Sequence, residues 1–347
     1  MASVITPVRT RVLSGFDDPT FRPEQWSELL RAGDTDVVFL TWQWQRAWWE
    51  SLGHGQLVLI AAERGGEMVA LAPLFADSGM VFFIGSIGGG YLDFIGVIDD
   101  PHVLDAILET ARECTPDFAG FRFYMLPESS RTGARLQEAA DRLGLTCYLE
   151  WELPAPVLDL TSQPEAALAA ANKESLRRHE SWFRRQGHLE VQHLCDGRAI
   201  LPQLEQLFEQ NIAQRASAST PSFFVDPAMR NWYERLTRLA ADTGWLRFTR
   251  LDWEGHPIAF HHGFCYRGRY HWDTPSFAID LARRSPGEVL LRQLLLAAIQ
   301  EGASAFDLGP GTHEYKLRFA NRVNRVQTWS LYPNAHSASD SSEGNAP

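Results

Sequence analysis

R-R-S-P-G-E-V-L-L-R-Q-L-L-L-A-A-I-Q-E-G-A-S-A-F-D-L-G-P-G-T-H-E-Y-K-L-R, residues 283–318, is the stretch on which the fold turns. A small, basic loop leads into a helix with start and stop signals. Ser285 stands at the expected N-cap, Pro286 at the first helical position and Glu288 three residues after the cap, the pattern of a capping box. Gly302 supplies the stop. Val289, Leu290, Leu291, Leu294, Leu295, Leu296, Ala298 and Ile299 make the helix apolar on nearly every side, so it is expected to be buried. A short apolar strand, Ala303 to Leu308, follows and closes on Asp307, Gly309 and Gly311. Loop, helix N-terminus, buried helix and strand can together hold an anion over a sheet. The first N–H groups of a helix lack intrahelical acceptors, and its dipole favours negative charge there.

The remaining chain supplies α/β elements on both sides. Helices are expected over Pro23 to Ala32 and Thr41 to Leu52, the second capped by Thr41 and stopped by Gly53. Trp44 and Trp48 share a face of that helix, and core packing explains such a stripe more readily than a ligand cleft. Strands Gln56 to Ala62 and Glu67 to Phe75 flank Gly65-Gly66; Met80 to Ile84 and Tyr91 to Ile98 read as two more, separated by Gly88-Gly89-Gly90. That triplet precedes a strand rather than a helix and reads as a wide turn. Asp100-Pro101 opens a helix to about Cys114, and strand Gly120 to Met125, helix Ser130 to Leu143 and strand Leu145 to Glu152 follow. Pro154 and Pro156 read as punctuation.

Beyond them Pro164 to Arg185 reads as one long helix carrying Lys173, Arg177, Arg178, Arg184 and Arg185. Two readings of this basic helix stand, a solvated face or a surface for a phosphorylated substrate, a nucleotide-sugar or tRNA. Next come a strand at Leu189 to Leu194, helices at Ile200 to Ala216 and Pro227 to Asp242, and a meander of Trp245 to Trp253, Pro257 to Cys265 and Arg269 to Thr274. A short helix near Tyr315 and a strand from Arg325 to Leu331 complete the order. Each half thus runs helix, helix, meander, helix, strand, helix, strand. The fold class is α/β with mixed sheets: two similar halves share a central cleft. Their expected extents are 1–155 and 156–332, with a polar, disordered tail at 333–347.

Composition narrows the function classes. Of 347 residues 45% are hydrophobic, enough for a sizeable core. Acidic residues outnumber basic ones by 43 to 32, giving a net charge of −11, which speaks against a DNA-binding protein. No apolar run approaches a membrane span, and no signal-peptide pattern opens the chain. Cys114, Cys147, Cys195 and Cys265 are far apart, which predicts free thiols in a cytoplasmic protein and no metal site. Signature motifs of serine hydrolases, P-loop NTPases, zinc proteases and dinucleotide enzymes are missing.

Several motifs carry a family resemblance. Arg284-Ser-Pro-Gly287-Glu-Val289 resembles the R-x-x-G-x-G/A loop with which GNAT acyltransferases wrap the pyrophosphate of acyl-CoA. S-P-G-x-V-L-L, F-D-L-G-x-G and E-Y-K-x-R-F together resemble the CelD/BcsL branch of that superfamily, which is related to Fem-type peptidyl transferases. W-Q-W-x-x-A-W-W at Trp42 to Trp49, A-P-L-F at Ala72 to Phe75 and Y-L-D-F at Tyr91 to Phe94 extend the likeness over most of the chain. Pro286 and Glu288 depart from it, removing one N–H and adding a carboxylate where phosphate would lie.

The resemblance implies a tandem GNAT fold and transfer of an acyl group, acetyl in the first instance, from acetyl-CoA or another acyl-CoA to the amine of a small molecule or saccharide. It also implies a link to cellulose or exopolysaccharide synthesis. A Fem-type enzyme drawing on aminoacyl-tRNA is one alternative; a catalytically silent scaffold or binding subunit is another. Arg284, Ser285, Gly287, Glu288 and Val289 are the expected cofactor residues. Amide formation needs a base, and Glu314, Asp307 and Lys316 at the end of the core strand are the candidates for chemistry, with Glu314 favoured as base. Asp307 either bonds loop N–H groups or pairs with Lys316. His261, His262, His271 and Asp273 on the meander are further candidates, and alternation sends His261 and His262 to opposite faces. Tyr91, Asp93, His262 and Tyr315 are the expected acceptor contacts.

Overall fold

A computed structural model describes residues 7–216 and 220–334; of the tail expected at 333–347, Pro333 instead ends the last strand and residues 335–347 lie outside the described residues. The first half comprises β1 (Val8–Leu13), α1 (Pro23–Ala32), α2 (Trp42–Leu52), β2 (Gln56–Arg64), β3 (Glu67–Asp77), β4 (Met80–Phe83), β5 (Ile95–Gly96), α3 (Pro101–Glu113), β6 (Gly120–Pro127), α4 (Thr132–Leu143) and β7 (Leu145–Asp159). The second comprises α5 (Pro164–Ala171), α6 (Glu174–Gln186), β8 (Leu189–Leu194), α7 (Gly197–Ile200), α8 (Leu204–Arg215), α9 (Pro227–Leu239), β9 (Leu246–Trp253), β10 (His256–Tyr266), β11 (Arg269–Phe277), α10 (Pro286–Gln300), β12 (Ala305–Asp307), α11 (Glu314–Phe319) and β13 (Arg322–Pro333).

All thirteen strands form one mixed sheet in the order β1-β2-β3-β4-β6-β13-β7-β12-β11-β10-β9-β8, with β5 pairing β3 from the side. The last strand of the chain lies between β6 and β7 of the first half, antiparallel to both. Helices α3 and α4 pack on strands of the first half, and α5, α6 and α10 pack together on the second. Helices α2 and α9 join across the halves, where Trp44 and Trp232 meet edge to face at 5.3 Å. Trp44 and Trp48 are buried, which makes the aromatic stripe a core feature. One hydrophobic core runs from the first half into α8 and α9, while a second lies beneath α10.

Several boundaries differ from the sequence reading. The strand expected to stop at Glu152 runs to Asp159, with Pro154 and Pro156 inside it. Their carbonyls accept the N–H groups of Gly311 and Leu308. A residue's N and C=O point to the same edge of a strand, so the missing proline donors face the side where β12 has ended, and no ladder bond is lost. Between Tyr91 and Ile98 only Ile95–Gly96 forms a strand, because buried Asp93 instead gathers the Thr35 and Thr132 hydroxyls at 2.6 and 2.8 Å and the Phe94 N–H at 2.9 Å. The long basic helix breaks at Asn172-Lys173 into α5 and α6; the Asn172 amide turns back onto the Leu168 carbonyl at 3.0 Å. The capping box at Ser285 does not form either. Ser285 is left-handed at φ 55°, and its side chain makes no cap.

Candidate active site

Two parallel strands that pair and then part create the site. Strands β11 and β12 are in register from Arg269↔Ala305 to His271↔Asp307. Strand β12 stops there while β11 continues to Phe277, leaving an opening between β11 and the loop that leads into α11. Helices α8 and α10 flank that opening and close a cavity of about 420 Å3 lined by Asn211, Arg215, Trp272, Asp273, Gly287 and Tyr315, among others. The parted edge of β11 is held by α8: the Asn211 amide donates to the Pro275 carbonyl at 3.3 Å, and Gln214 Oε1 accepts the Phe277 N–H at 3.0 Å.

The N-terminus of α10 opens on this cavity. No side chain of the described residues caps it, whereas the matching helix of the first half, α3, is closed by Asp100, whose carboxylate accepts the His102 N–H at 2.9 Å. Gly287 lines the cavity; a Cβ there would come within 3.2 Å of the Phe277 ring. Glu288 does not stand as a bare negative charge. Its carboxylate pairs with Arg318 at 2.8 Å and lies 3.5 Å from His179 Nε2. Ser285 lines the cavity beside it. Val289 points into the core, fully buried, so only its backbone belongs to the helix end. Arg284 lies exposed over the Trp182 ring, 4.3 Å from its centroid, and does not line the cavity.

Asp273 is where the openings converge. It lines the 420 Å3 cavity, a second of about 270 Å3 between the halves and a third of about 650 Å3 beside α9. Burial pushes its carboxyl up to about 6, against the opposing pull of the Thr274 and Tyr233 hydroxyls and the Lys316 charge. Both hydroxyls lie within hydrogen-bond reach of Oδ2, at 3.0 and 3.3 Å, and of each other at 2.6 Å, so their two protons serve three contacts. Its N–H donates to His261 Nε2 at 3.2 Å, and the His261 ring stacks on Trp272. Desolvation holds His261 down to about 3 and His262 and His271 to about 4, so all three are neutral near pH 7. Asp273 is therefore a carboxylate that holds or releases a proton close to neutrality, a property suited to a general base.

The structure distributes the remaining candidates widely. Glu314 is exposed on the first turn of α11 and lines none of these three cavities. Asp307 is fully buried and committed: it accepts the Tyr91 hydroxyl at 2.9 Å and the Gly309 N–H at 2.8 Å, and pairs with Arg269 at 3.0 Å. Of its two expected roles, the loop N–H bond is present and the direct Lys316 pair is replaced by Arg269. Lys316 Nζ instead donates to the Gly309 and Pro310 carbonyls, at 3.3 and 2.9 Å. Desolvation lowers its pKa, and it shares the 270 Å3 cavity with Asp273, His271 and Tyr91. Tyr315 reaches the 420 Å3 cavity, its hydroxyl accepting Trp272 Nε1 at 3.1 Å. His262 faces away, buried against Tyr233 and bonded to Thr237 at 3.2 Å, as alternation requires once His261 faces Trp272. Asp93 is a buried anchor within the first half. Thr274, Tyr233 and Asn211 escaped the sequence reading, since no motif marks a hydroxyl or amide that acts across an element.

Comparison with known proteins bears on the fold. Residues 170–317 match the acetyltransferase (GNAT) domain family. That segment holds Asp273, the α10 N-terminus and Lys316. No curated protein matches the chain. Among solved structures, FemX superposes with a TM-score of 0.64 at 9% identity, covering 90% of this chain and 96% of that one. The C-terminal domain of a lysylphosphatidylglycerol synthetase from Agrobacterium fabrum gives 0.56 at 17%, covering 90% and 91%. A tandem GNAT protein of the clavulanic acid biosynthesis pathway gives 0.52 at 12%, covering 94% and 99%. The chain thus has a tandem GNAT-like α/β fold. Among the described residues, no helix is long and apolar enough to cross a membrane.

Proposed function

We propose that this chain is an N-acyltransferase that takes an acyl group, acetyl in the simplest case, from acyl-CoA and gives it to an amine, with Asp273 as general base. The observation that carries the reading is the position of Asp273: a carboxyl titrating at about 6 lies at the meeting point of three cavities, one of which is also lined by the uncapped N-terminus of α10. The residues fit acyl-CoA. The first turn of α10 around Gly287 offers backbone donors and a favourable dipole, and Arg318 and His179 neutralise the Glu288 carboxylate that would oppose phosphate. Arg215, lining the same cavity, adds positive charge.

Acyl-CoA supplies an activated thioester carbonyl. The amine nitrogen bonds to that carbon, the carbon–sulfur bond breaks, the N–H proton passes to an Asp273 carboxylate oxygen, and the leaving thiolate takes a proton from solvent. The Thr274 and Tyr233 hydroxyls hold the carboxylate in place through Oδ2. Lys316 puts a positive charge beside the reacting carbonyl, where negative charge grows during attack. The CelD/BcsL affiliation and its link to exopolysaccharide synthesis belong to this proposal as context supported by the motifs alone.

A second reading keeps the fold and changes the donor to aminoacyl-tRNA. The likeness to FemX motivates it, together with the basic face of α6. Titrating the chain with acetyl-CoA and with charged tRNA, and reading thermal stability, separates the two. Stabilisation by acetyl-CoA supports the first; stabilisation by charged tRNA alone replaces it with the second.

A further inference from the structure

We propose that the 650 Å3 cavity beside α9 is the acceptor site, and that the acceptor is a primary amine carried on an apolar body. This rests on the acyltransferase reading above and names the substrate class for it. The cavity and the 420 Å3 cavity share Phe223, Asp273 and Thr274, so the two lie on either side of one carboxylate. A donor in one and an acceptor in the other would meet there, with the amine head beside Asp273.

The walls set the class. Leu52, Ile87, Val225, Met229 and Trp232 line the cavity away from Asp273. Ile87 and Val225 stand 58% and 61% exposed, although burying such side chains is favourable by about 25 cal/mol per Å2. An apolar ligand body would cover them. Polar groups on the wall are mostly committed to the fold: Asp226 accepts the Ala228 N–H at 2.9 Å as the α9 cap, and the Tyr233 hydroxyl is 2.6 Å from Thr274 Oγ1. A sugar would leave its hydroxyl groups facing aliphatic carbon.

Calorimetric titration of the full chain with n-octylamine and with glucosamine tests the class, and Ala228→Trp tests the place. Ala228 is only partly buried on the first turn of α9 and lines the cavity, so a large ring there fills space without entering the core. Octylamine is expected to bind at least tenfold more tightly than glucosamine and to lose at least tenfold in affinity in Ala228→Trp. The stabilisation by acetyl-CoA should be the same in wild type and variant. Equal or tighter binding of glucosamine overturns the class, and octylamine binding indifferent to Ala228→Trp overturns the site. Failure of the acyltransferase reading has a different signature: wild type shows no acetyl-CoA stabilisation, whatever the amine isotherms show.

Discussion

Asp273 carries both a functional and a stability signature, and the two have opposite signs. Its folded pKa, about 6, lies above the ordinary carboxylate value of 3.8 because burial disfavours the charge. A group raised in the folded state contributes stability below its unfolded pKa and loses it as pH rises through the folded one. Across pH 4 to 6, ionising Asp273 therefore destabilises the fold. Asp273→Asn should raise the melting temperature at pH 7.5, narrow that gain towards pH 4, and lower kcat by about 10²–10⁴ through loss of the base. A variant that melts lower and keeps its rate would remove Asp273 from the chemistry. Wild-type activity should rise with pH through about 6. Lys316 holds the Asp273 pKa down, so Lys316→Met should move that acid limb to higher pH as well as slow turnover; an unmoved limb would make Lys316 a loop anchor only. Sequence reasoning named Asp273 among its candidates but favoured Glu314, which the structure leaves exposed outside the three cavities. A residue just past a strand end looks accessible, whereas Asp273 lies in the middle of a mixed strand, and its raised pKa comes from burial, opposed by Tyr233 of α9 and Lys316 of α11, both distant in sequence.

At the scale of elements, the sequence was most legible where one residue's backbone preference decides the outcome. Asp100-Pro101 starts a helix as read, and Pro227 opens another with Asp226 as its cap, because the carboxylate caps and the proline suits the first turn. Glu254-Gly255 and Arg267-Gly268 turn with positive φ at both residues, as two-residue hairpin loops require. Ser285-Pro286 looks like the same helix-start signal and behaves differently: left-handed Ser285 carries its side chain away and leaves α10 uncapped. Its partner Glu288 is drawn off by Arg318, a residue no local pattern connects to it. That exception leaves the α10 N-terminus open, as the proposed donor site requires. If α10 binds the pyrophosphate, acetyl-CoA at a hundredfold excess over its Kd should stabilise the chain by about 2.7 kcal/mol. Gly287→Val should abolish this stabilisation, because the new methyl groups enter the cavity beside Phe277. Gly287 is not left-handed, so the apo protein should lose little stability. Persistent stabilisation in the variant would place the donor elsewhere.

For the molecule as a whole, strand exchange outweighs the sequence-level division into halves. Strand β13 comes from the C-terminal end yet pairs with β7 along its length, from Arg322↔Val157 to Pro333↔Leu145, and with β6 from Val326↔Pro127 to Leu331↔Phe121. Strand β7 in turn leaves the first half and pairs with β12 of the second. Prolines at 154 and 156 hid this continuity, since a proline inside a strand is tolerated only where its edge is free, and that freedom depends on where β12 ends. The packed core likewise runs from α2 into α8 and α9. The first half thus owns neither a complete sheet nor a closed core, and the second, which has its own core beneath α10, still takes β7 from the first to complete its sheet. Two fragments cut in the loop after β7, 1–162 and 163–347, test this directly. Alone, 1–162 exposes the facing edges of β6 and β7, and 163–347 lacks the β7 strand on which both β12 and β13 pair; neither should give a cooperative melt or dispersed amide spectrum. Expressed together, they should associate through β13, recover one transition and bind acetyl-CoA, because every strand pairing can form without the covalent link. The intact chain should likewise melt in a single transition. A cooperative melt of 163–347 by itself would show that the second half folds independently and that β13 docks onto a finished domain.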